Sequence, residues 1–245
     1  MHFFIKFRLR TVFPLLLMIL TSLVLLTACG QPPTEDQPPA EETEADRFSG
    51  IDVTLQDETG QTYATITVTI PDSVYADLTD PDLRQAISLR LEQVAADFLD
   101  SRTMEAESQR QANPAYQAEY SMDVALFYAD QTLVSLRAEL YDSVSGAAHP
   151  LLTVRGYTFG PDGEPVDLGE LLGADYQETA PAAILAQIEA AGELENYYPD
   201  LAQRLPQGLA ADKWYADGTY VYLIYDPYEI AAYAMGFQEF AVERL

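Results

Sequence analysis

Cysteine, histidine and basic residues are the scarce types in this 245-residue chain. Its single cysteine, Cys29, excludes an intramolecular disulfide, so stability must come from a hydrophobic core. With only His2 and His149 besides, the His and Cys sets of zinc sites cannot be assembled, and histidine-dependent acyl transfer would have to rest on His149. Lys and Arg number 13 against 39 Asp and Glu, a net charge of −26. Such a surface repels nucleic acid, whose binding depends on neutralising phosphates with basic side chains. No calcium loop is present, because Asp162-Gly163-Glu164 lacks the spaced oxygen ligands around it. Carboxylates are too numerous for a hydrolytic pair to be singled out. No metal, cofactor or complete catalytic constellation is expected, and the chain reads as a non-enzyme.

What is present begins at the amino terminus. Lys6, Arg8 and Arg10 form a basic start, and residues 11–26 are uncharged and rich in Leu, Ile, Val, Phe and Met. A basic start, an apolar middle and small residues at the end are the parts of a signal peptide. The run of 16 residues is short of the ~20 that a spanning helix needs. Leu26-Thr27-Ala28-Cys29 matches the lipobox of bacterial lipoproteins: the thiol takes the diacylglyceryl group, and small residues admit the peptidase after Ala28. Residues 1–28 are therefore expected to be removed, leaving Cys29 lipidated. The protein is expected on the extracytoplasmic face of a cell membrane or outer membrane, held by acyl chains rather than by a span. The cut removes three basic residues and no acidic one, so 10 basic against 39 acidic residues leave the mature chain at −29. That charge either steers a cationic partner or simply keeps the body soluble.

Residues 29–50 are rich in Pro, Glu and Gln with almost no large apolar side chain, the composition of a disordered acidic tether. Folded structure is expected from Ile51. Ile51, Val53 and Leu55, then Ala64, Ile66, Val68 and Ile70, alternate on either side of a Gly60 turn and predict a hairpin. Asp80-Pro81 is a helix start, followed by the stripe Leu83, Ile87, Leu91, Val94 and Phe98. Residues 104–113 are polar and read as either a helix extension or a loop. Strands are predicted around Tyr120 to Tyr128, Val134 to Leu140 and over residues 151–159, with extended chain resuming at Val166-Asp167-Leu168. Helices are predicted over 180–191 and 194–205, and strands over 219–225 and 237–242. The fold class is α+β, mostly antiparallel sheets with packed helices. Two regions are expected, 51–130 and 131–245.

Gly146-Ala147-Ala148-His149, Tyr157-Thr158-Phe159, Val166-Asp167-Leu168-Gly169-Glu170-Leu171-Leu172 and Asp226-Pro227-Tyr228-Glu229-Ile230-Ala231-Ala232-Tyr233-Ala234-Met235-Gly236 resemble, in order, segments of the DUF3298 family of extracytoplasmic bacterial proteins. The likeness covers residues 138–242 well, and 51–130 resembles in outline the DUF4163-like region that usually precedes that domain. His149 is followed by Pro150 where the family usually has Gly, and an extra alanine precedes it. One member forms the outer part of the lysozyme-sensing anti-sigma factor, so the resemblance implies a sensory or binding body facing a cell-envelope component, a peptidoglycan fragment or a basic protein such as lysozyme. The ten residues before the apolar run leave no room for a sigma-binding domain, and anti-sigma activity is not expected.

Several residues stand out as contacts for such a partner. His149 is either a ligand contact or a hydrogen-bonded structural side chain. Asp226 and Glu229, three apart with Pro227 between, form either a capping box or a partner contact. Tyr228 lies between them. Tyr220 and Tyr222 share one strand face, which is either a shallow recognition surface or a face covered by another element.

Overall fold

The computed structural model describes residues 5–8 and 50–245. Apart from residues 5–8, the expected leader, its cut after Ala28, Cys29 and the tether over 29–49 lie outside the described residues. The larger sheet has the order β1 (Ile5–Arg8), β2 (Ile51–Gln56), β3 (Thr62–Thr69), β4 (Ala118–Ala129), β5 (Val134–Val144) and β6 (Leu151–Phe159). All its neighbours are antiparallel except β3 and β4, which are parallel. A parallel pair needs a long crossover, and helix α1 (Pro81–Ala112) supplies it. The smaller sheet is the antiparallel set β7 (Trp214–Ala216), β8 (Tyr220–Tyr225) and β9 (Gln238–Glu243). Helices α2 (Leu168–Leu172), α3 (Tyr176–Ala191) and α4 (Leu201–Arg204) lie in the chain between the sheets. The fold is α+β, as the pattern of alternation implies.

Period-2 patterning places Val53, Leu55, Ile66, Val68, Met122, Leu136 and Ala138 on the face of the large sheet that α1 covers. Asp80 caps α1 by accepting from the backbone N–H of Asp82 and Leu83, with Pro81 in the first turn. Ile87, Leu91 and Phe98 of the predicted stripe are buried, and Ala95 and Ala106 join them. The polar stretch continues as helix to Ala112, with Asn113 as its extended cap. Its end is tied to the sheet by ion pairs, Arg102 to Asp142 and Arg110 to Asp57, each at 2.7 Å.

The opposite face of the large sheet meets the small one through Val154, Tyr215 and Ile224, with Phe127 packed edge-on against Tyr215. The far side of the small sheet buries Val221, Leu223 and Tyr225 against Leu171, Ile184, Ile188 and Leu205. The molecule is thus layered as helix, large sheet, small sheet, helices. The boundary expected at residue 130 falls inside the β4–β5 hairpin, where Leu126 pairs with Leu136 and Ala129 with Val134.

Gly156 permits the two sheets to meet: its N–H donates to the Asp212 carbonyl at 2.9 Å, and a Cβ there would lie 1.8 Å from the Trp214 carbonyl oxygen. Three expectations need correction. Leu168 starts α2 instead of continuing extended chain, because Asp167 and Glu170 form a capping box. Residues 194–205 are not one helix: Tyr197 is extended and bridges Ala231, Pro199 follows, and only Leu201–Arg204 is α-helical. Strand β7 was not anticipated, being three residues long. Among the described residues, no helix is long and apolar enough to cross a membrane.

Candidate functional site

Strand β8 ends at Tyr225, which is buried and donates its hydroxyl to the Leu205 carbonyl at 2.7 Å. The chain then leaves the sheet as Asp226-Pro227-Tyr228-Glu229. The expected helical capping box is half built. Asp226 N–H donates to the Glu229 carboxylate at 2.6 Å, and Glu229 N–H donates to the Asp226 carbonyl at 3.0 Å. No helix follows, because Tyr228 has φ of 72°, in the left-handed region. For a residue this bulky that conformation is an outlier that the surroundings must enforce.

The enforcement comes from charge pairs that join both sheets. The Asp226 carboxylate, instead of capping, accepts two hydrogen bonds from Arg155 of β6, each 2.9 Å, and one from Lys213 at 2.8 Å. Lys213 also bonds Glu229, and Arg155 Nε lies 3.1 Å from Asp212. Burial favours the neutral acid at Asp226, but the bonds and charges of Arg155 and Lys213 outweigh it and hold the carboxyl below the usual range. At Arg155 burial acts against the charge, and Asp226 with Asp212 overcomes it, raising the guanidinium further. Arg204 donates to the Glu229 carbonyl at 3.0 Å and Tyr198 N–H to that of Ile230 at 2.9 Å, so the turn is held from a third side.

Above this base sits an aromatic cluster. His149, half-buried in the β5–β6 connection, has Nε2 3.1 Å from the Tyr228 hydroxyl. Its ring stacks on Tyr233 with centroids 3.3 Å apart, and Tyr233 donates to the Pro150 carbonyl at 2.6 Å. The Tyr228 side of the cluster is open, with 52 % of the residue exposed. His149, Asp226, Tyr228 and Glu229, proposed from sequence as separate candidates, therefore occupy one place.

Tyr220 and Tyr222 do not join them. Tyr220 begins β8 and is exposed, at the end of the strand opposite Asp226. Tyr222 stacks on Tyr215 at 5.1 Å and meets Phe127 edge-on at 5.3 Å, so its face is closed by the large sheet and cannot serve as an open recognition surface. Its hydroxyl donates to Asp217 at 2.8 Å, which together with burial pushes the phenol up to about 12.

Arg155 and Lys213 do not stand out as site residues from sequence, and Tyr233 does so only as part of the family-like string. Lys213 carried a signal, since it is the sole lysine beyond Lys6 and directly precedes the aromatic pair Trp214-Tyr215 in an acidic chain. Arg155 likewise interrupts the apolar strand LLTVRGYTF. Among the described residues, no three His, Cys, Asp or Glu side chains gather where they could hold a metal ion.

The α+β layering and this turn frame the comparison with known proteins. The DUF3298 family, described as a protein of unknown function, matches residues 170–244, and that stretch of the chain is a DUF3298 domain. It contains Lys213, Asp226, Tyr228, Glu229 and Tyr233, whereas His149 and Arg155 precede it. No curated protein matches the chain. Two solved structures are similar to it at 17 % identity. A DUF3298 family member from Bacteroides fragilis has a TM-score of 0.46 over 80 % of this chain and 90 % of its own. A DUF3298 family protein from Pseudomonas aeruginosa PAO1 has 0.45 over 81 % and 92 %.

Proposed function

We propose that the protein is a lipid-anchored, extracytoplasmic binding or sensory protein, non-catalytic, that recognises a cell-envelope component or a basic protein such as lysozyme. The observation that carries the binding reading is Tyr228, displayed to solvent in a left-handed conformation by an ion cluster that the fold buries beneath it. Strain that persists at an exposed, over-determined turn points to a site, since a turn with no task is served at less cost by glycine. The acidic body adds long-range attraction for a cationic partner. Anchoring rests on the Leu26-Thr27-Ala28-Cys29 string, and the region before residue 131 is read as DUF4163-like.

Pull-down of the body from Gln31 to Leu245 with lysozyme and with peptidoglycan fragments, repeated across salt concentrations, tests the reading; retention at low salt on one of them is expected. A structural envelope lipoprotein with no small ligand is the competing reading, favoured by the closure of the Tyr222 face. Absence of retention on both would leave that one standing.

A further inference from the structure

We infer that the open face of Tyr228, with His149 and Tyr233 behind it, is a stacking site for the pyranose ring of an amino-sugar glycan. The inference rests on the envelope-binding reading and names the ligand of the same turn. Charge is the first consideration. In a chain of net charge −26, the carboxylates of this turn are spent internally: Asp226 on Arg155 and Lys213, Glu229 on Lys213 and the Asp226 N–H. Arg204 is likewise engaged, with Asp200 at 2.6 Å and the Glu229 carbonyl. A cationic side chain finds its counter-ions here already paired, and an anionic group finds the nearby guanidinium and ammonium committed.

What the turn does offer is an aromatic face ringed by hydrogen-bonding groups. The Tyr228 ring lies 5.6 Å from that of Tyr233 and 6.2 Å from that of His149, all inclined to one another by 33° or less. Around them stand the Tyr228 and Tyr233 hydroxyls, the imidazole and the Pro150 carbonyl: Tyr228 meets the imidazole at 3.1 Å and Tyr233 donates to Pro150 at 2.6 Å, and both hydroxyls keep acceptor lone pairs. A sugar ring matches that combination: one face of C–H bonds for the aromatic ring, and hydroxyl or acetamido groups at its edge for the polar rim. Aromatics with a polar handle and few rotatable bonds suit such contacts at small entropic cost. Pre-organisation by the ion cluster lowers that cost again, because the turn has nothing left to order on binding.

Saturation-transfer NMR on the full chain in detergent micelles, with tri-N-acetylchitotriose and with the disaccharide of peptidoglycan stripped of its peptide, tests the inference. Saturation should appear on the ring protons of at least one sugar, and Tyr228→Ala should weaken that binding about tenfold. Tyr228→Gly should lose the sugar equally yet melt at a higher temperature than Tyr228→Ala, since glycine adopts the left-handed φ freely. Sugar binding untouched by Tyr228→Ala overturns the inference. So does absent saturation while intact peptidoglycan fragments or lysozyme are still retained, in which case the envelope-binding reading survives. Absent saturation with no retention of any partner removes both.

Discussion

Lys213 sets the stability of the site at the scale of single residues. It is 9 % exposed and stands between Asp226 and Glu229, themselves mostly covered. Removing one member of a buried ion pair leaves its partners charged without compensation, at a cost of ~3–5 kcal/mol. Lys213→Ala is therefore expected to lower the stability in urea by about that amount, whereas Arg90→Ala, which breaks an exposed pair with Glu164, should cost under ~1 kcal/mol. Asp226 fixes the pH dependence. Its folded pKa lies below the ~3.9 of an unfolded aspartate, so the unfolded chain binds the proton first as pH falls. Its stabilisation is complete above about pH 4 and is lost as pH falls through the folded value. Asp57, held at about 2 mainly by its bond from Thr59, acts in the same window. Asp130 joins them at about 2, because backbone bonds from Thr132 and Leu133 and the Tyr128 hydroxyl overcome its burial. Thermal melts should be nearly flat from about pH 5 to 7 and decline below about pH 4. Asp226→Asn should melt lower at neutral pH and decline less steeply in acid; an unchanged acid slope would contradict this assignment.

Elements differ in how plainly they were written in the sequence. The β2–β3 hairpin and the first half of α1 were legible because the information is local: alternation around Gly60, and a cap followed by a stripe at helical spacing. The second half of α1 was not, since residues 104–113 have little apolar periodicity and are held by Arg102–Asp142 and Arg110–Asp57, pairs distant in sequence. Residues 194–205 misled in the opposite direction. Their apolar spacing suggests a helix, but Pro199 restrains Tyr198 and the bridge from Tyr197 to Ala231 draws the chain out. The site shows the same division. Asp226 and Glu229 could be nominated from spacing alone, while the diversion of the Asp226 carboxylate to Arg155 is a contact between sheets that no local pattern records. Gly156 is where β6 and β7 meet most closely. Gly156→Ala would drive a methyl group into the Trp214 carbonyl, and because the obstacle is backbone the small sheet must shift. A cost of ~1–3 kcal/mol is expected, with a red shift in the emission of Trp214, the only tryptophan, now buried. Unaltered emission and stability would mean that the sheets can separate at no cost.

At the scale of the whole molecule, four layers place the turn where β8 leaves the small sheet, and an acidic body carries it. The lipobox reading puts that body on a membrane surface. Replacement of Cys29 by Ser should abolish lipid labelling and leave an unprocessed precursor, and persistent labelling would show the anchor to be assigned wrongly. The central claim, that the turn around Tyr228 is a rigid recognition element, is tested most directly by retention of the wild-type body and of Tyr228→Ala on immobilised peptidoglycan fragments and on lysozyme at low salt. The account predicts that the wild type is held by at least one of them and that Tyr228→Ala, folded by its melting curve, is released; equal retention of the two, or retention of neither, would contradict it.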